Sequence, residues 1–111
     1  VQTPDNRDTV FSGGIMRKIP SWPFYSDEEK TSYEDWIMKS IRNEWLGLVL
    51  RYDSHWGEGA KPYPFMIKGD TTLREFQDAV ELEVQNSGDD HHIFIENFRP
   101  NGMWLDIITG S

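Results

Sequence analysis

Three histidines and a scatter of acids are the side chains in this chain best equipped for catalysis or metal binding. Asp89, Asp90, His91 and His92 stand side by side, a composition able to hold a transition metal through imidazole. Neighbours along an extended chain point to opposite faces, however, so this spacing reads as an exposed polar loop rather than a chelate. His55 sits beside Trp56 in the most irregular interior stretch, with Asp53 and Glu58 near enough in sequence to orient it as a general base. No nucleophile stands at motif distance from it. The chain has no GxSxG elbow, no GxxxxGKS or GxxxxGKT phosphate loop, no GxGxxG and no HExxH. The run HWGEGAKP has two glycines and a lysine but not the spacing of a phosphate cradle. With no cysteine, thiolate catalysis, disulfides and Cys-ligated metals are excluded.

These residues need elements to position them. Residues 1–25 carry Pro4, Pro20, Pro23 and the Gly13, Gly14 pair, and their apolar side chains follow neither a helical nor a strand period. Disordered tails are poor in aromatic and aliphatic groups. Here Phe11, Ile15, Trp22, Phe24 and Tyr25 ask for burial, which predicts an extended arm held against its own domain or a neighbour. Ser26 with Glu29 has the form of a capping box, so a helix should start there or at Ser32. Tyr33, Trp36, Ile37, Ile41 and Trp45 then recur at spacings of three and four, the stripe of a helix facing a core. From Leu46 the period falls to two through Leu48, Leu50 and Tyr52, which predicts a strand, the alternative being a helix that continues to Leu50. Residues 65–67 read as a short second strand closed by Gly69. Thr72 with Glu75 repeats the capping box ahead of Leu73, Phe76, Ala79, Val80 and Val84, a second helix. Residues 91–98 and 103–109 flank the turn Arg99, Pro100, Asn101, Gly102 and predict a β-hairpin.

The expected architecture is α+β: an N-terminal arm over residues 1–25, and one domain over residues 26–111 with two helices on a mainly antiparallel four-stranded sheet, in the order arm-αββαββ. A type I turn with a bulge at Gly102 would place Arg99 opposite Met103. Phe98 would then face Trp104, Glu96 would face Asp106, and Phe94 would face Ile108, with His92 beyond them. Ile93, Ile95, Leu105 and Ile107 would form the opposite, aliphatic face. One layer of helices covers one face of a sheet. Phe94, Phe98, Trp104 and Ile108 would therefore require the arm or another chain over them. Glu96 opposite Asp106 would be a like-charge pair needing compensation, from Arg17 or Lys18 of the arm, a partner's basic group, a raised carboxyl pKa, or a metal shared with His92; with a two-residue turn Glu96 would face Leu105 instead.

The chain has 111 residues, with 19 acids against 11 bases and a formal net charge of −8. That balance opposes nucleic acid and anionic membrane by Coulomb repulsion. Residues 1–55 carry nine acids and seven bases, and residues 56–111 ten acids and four bases, so the C-terminal half holds most of the excess. No apolar run approaches the length of a membrane helix, and bilayer insertion is not expected. The chain begins at Val1 without a signal pattern, as expected of a processed form or a fragment.

These features favour a non-catalytic protein-protein interaction module, a small acidic subunit or adaptor that binds a protein partner or a second copy without a cofactor. The expected contact residues are Phe11, Trp22, Phe24, Tyr25, Trp56, Phe94, Phe98, Trp104 and Ile108. Two alternatives stand beside it. One is an acidic inhibitor or immunity-type protein that occludes the basic surface of a nucleic-acid enzyme. The other is a small hydrolase or metal protein using His55, or His92 with Glu96 and Asp106.

Overall fold

The computed structural model describes residues 20–52, 64–87 and 93–110. Helix α1 (Asp27–Arg42) begins where the first capping box predicts. The Ser26 hydroxyl accepts the Glu29 amide at 3.2 Å, and the Glu29 carboxylate accepts the Tyr25 amide at 3.0 Å, so two N-terminal donors are satisfied by side chains. Ile37 and Ile41 are buried on its inner face. Beyond Arg42 the Trp45 amide reaches back to the Ser40 carbonyl at 2.8 Å, which tucks the Trp45 ring into the core. Gly47 then turns the chain at φ +81°, a conformation costly for residues with a Cβ.

Helix α2 (Leu73–Asn86) has the complete capping box. Thr72 accepts the Glu75 amide at 3.1 Å and donates its own amide to the Glu75 carboxylate at 2.9 Å. Phe76, Ala79, Val80 and Val84 are buried along one face, as their spacing predicts. Arg42 ties the two helices together by donating to the Thr71 carbonyl at 2.9 Å.

The sheet differs from expectation. Among the described residues it has three strands in the order β1-β3-β2, where β1 is Val49–Arg51, β2 is Phe94–Asn101 and β3 is Trp104–Gly110. It is mixed, because β1 runs parallel to β3 with Leu50 beside Leu105, and only β2 and β3 are antiparallel. The expected four-stranded, mainly antiparallel sheet is therefore incorrect. Two physical causes account for the difference. The connection from β1 to β3 includes α2, and a crossover of that length lets a later strand return in the same direction. Residues 65–67 make only an isolated bridge, Met66 to Val49. Pro64 has no amide to extend the ladder on one side, and on the other the Lys68 amide is drawn to the Thr71 hydroxyl at 2.8 Å.

The hairpin forms, but its register differs from expectation. Asn101 pairs with Trp104, leaving Gly102 and Met103 as a two-residue loop. Gly102 is at φ +63° and Met103 is not at positive φ, the pattern of a type II′ turn, with glycine at the first central position. Phe98 consequently pairs with Ile107 and Arg99 with Asp106. The expected pairs Phe98 with Trp104, Glu96 with Asp106, and Phe94 with Ile108 do not occur. A bulge follows at Glu96: Ile95 pairs with Thr109, and Asn97 pairs with Ile108. The extra residue reverses the alternation, so Ile95 and Phe98, three positions apart, both enter the core.

The core lies between the helices and one sheet face. It joins Ile37, Ile41 and Trp45 to Phe76, Ala79, Val80 and Val84, and closes on Leu50, Ile67, Ile95, Phe98, Leu105 and Ile107. The end of the predicted arm joins the same body. Ser21 donates to the Ile93 carbonyl at 2.9 Å and accepts the Ile95 amide at 2.8 Å, while the Trp22 indole donates to the Glu81 carboxylate at 2.8 Å. Ser21 and Met66 thus occupy part of the two outer edges of the sheet, where unpaired strand groups would otherwise meet water or another chain.

Candidate functional site

The sheet face turned away from the helices is built in rows across the strands, because residues paired in register point the same way. One row is Met66, Val49 and Trp104, from the Met66–Val49 bridge and the Val49–Trp104 pair. Met66 is 52% exposed, and Met103 in the adjoining turn is 60% exposed. Val49 and Trp104 are half-buried. The next row is Arg51, Asp106 and Arg99. Ile108 continues the face along β3, and Phe94 stands beyond it on β2 opposite Gly110. Glu96, the bulged residue, lays its carboxylate over Gly110, where any added Cβ would collide with it.

Arg51 organises this face. Its guanidinium forks onto Asp106, with Nε to Oδ1 at 2.8 Å and a second bond to Oδ2 at 3.1 Å, the paired geometry that arginine offers a carboxylate. It also lies 5.1 Å from the centre of the Trp104 ring, where the ring's negative face attracts a cation. Asn101 donates to Asp106 Oδ2 at 3.0 Å. The hydrogen bond from Arg51 is the chief influence holding the Asp106 carboxyl below its ordinary pKa. Burial opposes it, and Asn101 and the charges of Arg51 and Arg99 assist it. The expected like-charge pair of Glu96 with Asp106 does not form; the base beside Asp106 is Arg51 of β1, and Arg17 and Lys18 lie outside the described residues. Only the parallel pairing, which the sequence pattern did not suggest, brings Arg51 there.

A second group of side chains is aromatic. Trp22, Phe24, Tyr33, Trp36, Trp45, Phe76 and Phe98 form a continuous set of rings with neighbouring centroids 5.2 to 6.3 Å apart. Most of its rings are buried or half-buried, but Trp36 is 38% exposed. Trp36 is held edge-on against Trp45 at 5.3 Å and beside Tyr33 at 5.3 Å. The Tyr33 hydroxyl is buried with no hydrogen-bond partner among the described residues, and burial raises its pKa well above the usual phenol value. A buried hydroxyl that has lost water without replacement is a cost. Tyr33→Phe should therefore raise stability, by up to about 1 kcal/mol, read as a higher urea midpoint at unchanged slope. A loss of stability would mean that the hydroxyl has a partner.

The residues expected to meet a partner fall in different places. Trp104, Ile108 and Phe94 lie on the outer face of the sheet, each half-buried. Phe98 is only 4% exposed and belongs to the core, where the bulge and the shifted turn carry it. Trp22 and Phe24 pack on Tyr33, and Tyr25 is almost fully exposed. Phe11 and Trp56 lie outside the described residues, as do His55, Asp89, Asp90, His91 and His92. Glu96 and Asp106 do not face each other, and Asp106 is committed to Arg51 and Asn101, so the constellation of His92 with Glu96 and Asp106 loses its basis. Among the described residues no group of three His, Cys, Asp or Glu side chains could hold a metal. The Met66, Val49 and Trp104 row was missed from sequence, because it depends on two pairings made by the three-residue strand β1.

No family model, no curated protein and no solved structure matches this chain. What the fold of the described residues defines is a small α+β domain with two helices over a three-stranded mixed sheet. Among the described residues no helix is long and apolar enough to cross a membrane.

Proposed function

We propose that this chain is a non-catalytic interaction module, a small acidic subunit or adaptor that meets a protein partner through the outer face of its sheet. The observation that carries this reading is the row Met66, Val49 and Trp104. It is an apolar strip with Met66 half-exposed, on the face opposite both helices, and its tryptophan is fixed in place by Arg51. Rigid tryptophan and arginine beside adaptable methionine are side chains that interfaces favour. Both are oriented before any partner arrives, which lowers the ordering cost of association. Ile108 and Phe94 extend the apolar area along the strands. The net charge of −8 suits an aqueous surface and sets a preference against polyanions. The paired Arg51 and Asp106 contribute no net charge to this face.

Met66→Glu tests the reading, since an exposed side chain outside the core can be charged with little effect on folding. The variant should keep the wild-type unfolding midpoint and lose the partner recovered with the intact chain, or, for a homo-oligomer, lose its concentration-dependent association. Equal recovery by Met66→Glu and wild type, with both folded, would remove the outer face as the contact. Removing residues 1–19 is the companion test for the arm, because a cut at residue 25 would also strip the Trp22 to Glu81 bond and the Ser21 bridge.

A further inference from the structure

On the other layer of the molecule, Glu28, Glu29, Ser32, Tyr33 and Trp36 line one shallow groove along the N-terminal half of α1. Its floor is aromatic and its upper rim is acidic. We infer that this groove receives a short basic segment of a partner protein, with an arginine or lysine at the Glu28 and Glu29 end and an apolar side chain against Trp36.

Three observations support this occupant. The floor is preorganised, because Trp36 is wedged against Tyr33, Trp45 and Phe98 at centroid distances of 5.3, 5.3 and 6.2 Å while leaving 38% of itself exposed. A fixed, partly open indole offers a face for apolar contact or for a cation at no ordering cost. Charge then chooses between partners. Asp27, Glu28 and Glu29 bring three carboxylates to the first turn, which outweigh the positive end of the helix dipole, about half a charge. Glu29 uses one oxygen on the Tyr25 amide, and the end of the groove remains negative. Lys39 lies on the far side of Trp36, in a separate depression with Ser40, Asn43 and Glu44, where one base and one acid offset each other, so the excess negative charge lies at the Glu28 and Glu29 end and suits a segment that is basic at one end.

The third observation comes from the protein's own sheet. There a tryptophan and a carboxylate, Trp104 and Asp106, are satisfied together by Arg51. The groove on α1 presents tryptophan and carboxylates again, and no arginine or lysine of the described residues lines it. From Glu28 to Trp36 is eight helical residues, roughly 12 Å, a span matched by about four residues of extended chain. The groove is separate from the outer sheet face, so failure of either surface leaves the other standing.

The test is an NMR titration of the full chain, with its tryptophan indole and backbone signals assigned, using an acetylated and amidated Gly-Arg-Gly-Gly-Gly-Leu-Gly peptide. The expected result is a saturable shift of the Trp36 indole and the Ser32 amide, reduced by added salt. Glu28→Gln, an exposed substitution that leaves the Ser26 cap in place, should weaken the response by about threefold. The same peptide with glutamate in place of arginine should give none. Four results would each overturn the proposal: no shift at Trp36, an equal shift with the glutamate peptide, a response unaffected by Glu28→Gln, or a Trp36 signal that changes on dilution without peptide, which would assign the groove to a second copy of the chain.

Discussion

Phe98→Ala should cost about 3 to 5 kcal/mol of folding stability, the range for truncating a fully packed aromatic ring. Phe98 touches four other rings, with centroids 5.2 Å from Phe76, 5.4 Å from Trp45, 6.2 Å from Trp36 and 6.3 Å from Trp22. It is the point where β2, both helices and the residues before α1 meet. Its loss opens a cavity bordered by large planar groups, which cannot rotate into the gap without losing their own contacts. The measurement is equilibrium urea unfolding, with the midpoint lowered and the slope unchanged. The alternation of the hairpin alone would put Phe98 on the outer face with Trp104, and the same substitution would then affect association and barely change folding. A cost below about 1 kcal/mol would favour that register and remove the bulge at Glu96.

The contrast shows where sequence patterns carry information and where they do not. Both helices were legible because each is specified locally: Ser26 and Thr72 supply caps within three residues, and the apolar stripes repeat along the same segment. The existence of the hairpin was legible for the same reason. Its register was not, since Pro100 and Gly102 are compatible with more than one turn, and closing it at Gly102 and Met103 moves the partner of Phe98 three positions, from Trp104 to Ile107, an odd shift that exchanges the faces. The bulge at Glu96 leaves no mark that separates it from an ordinary exposed acid. Strand order was least legible, because the parallel contact of β1 with β3 links residues 55 apart in sequence, as Arg51 and Asp106 are, and no local pattern records it. The candidate surface inherits these limits. Trp104 and Ile108 could be placed on the outer face because they alternate with Leu105 and Ile107, whereas Met66, Val49 and Arg51 join them only through the unforeseen pairing. Tyr33 and Trp36 were legible as a core-facing stripe, and the exposure of Trp36 follows from how α1 sits over the ring cluster, which no spacing encodes.

Arg51→Ala should destabilise the fold by about 2 kcal/mol at neutral pH. Breaking a fully buried ion pair costs more, about 3 to 5 kcal/mol, but the Arg51 side chain is 32% exposed against 9% for Asp106, so water recovers part of the loss. The pH dependence gives the sharper test. The Asp106 carboxyl is held below its ordinary value in the folded chain, so the folded state binds its proton less readily than the unfolded state does. Its contribution is complete above the unfolded pKa of about 3.9 and disappears as pH falls through the folded value. Wild type and Arg51→Ala should therefore differ by a constant amount at neutral pH and converge in acid, below about pH 4. A difference that is unchanged in acid would mean that Arg51 acts through its packing on Trp104 and not through Asp106. Replacing the pair together, Arg51→Met with Asp106→Leu, should recover most of the stability, because an apolar pair of similar size avoids the desolvation both charges suffer. If the double variant is stable but no longer holds a partner that Met66→Glu also loses, the ion pair serves to orient Trp104 on the outer face more than to hold the sheet together.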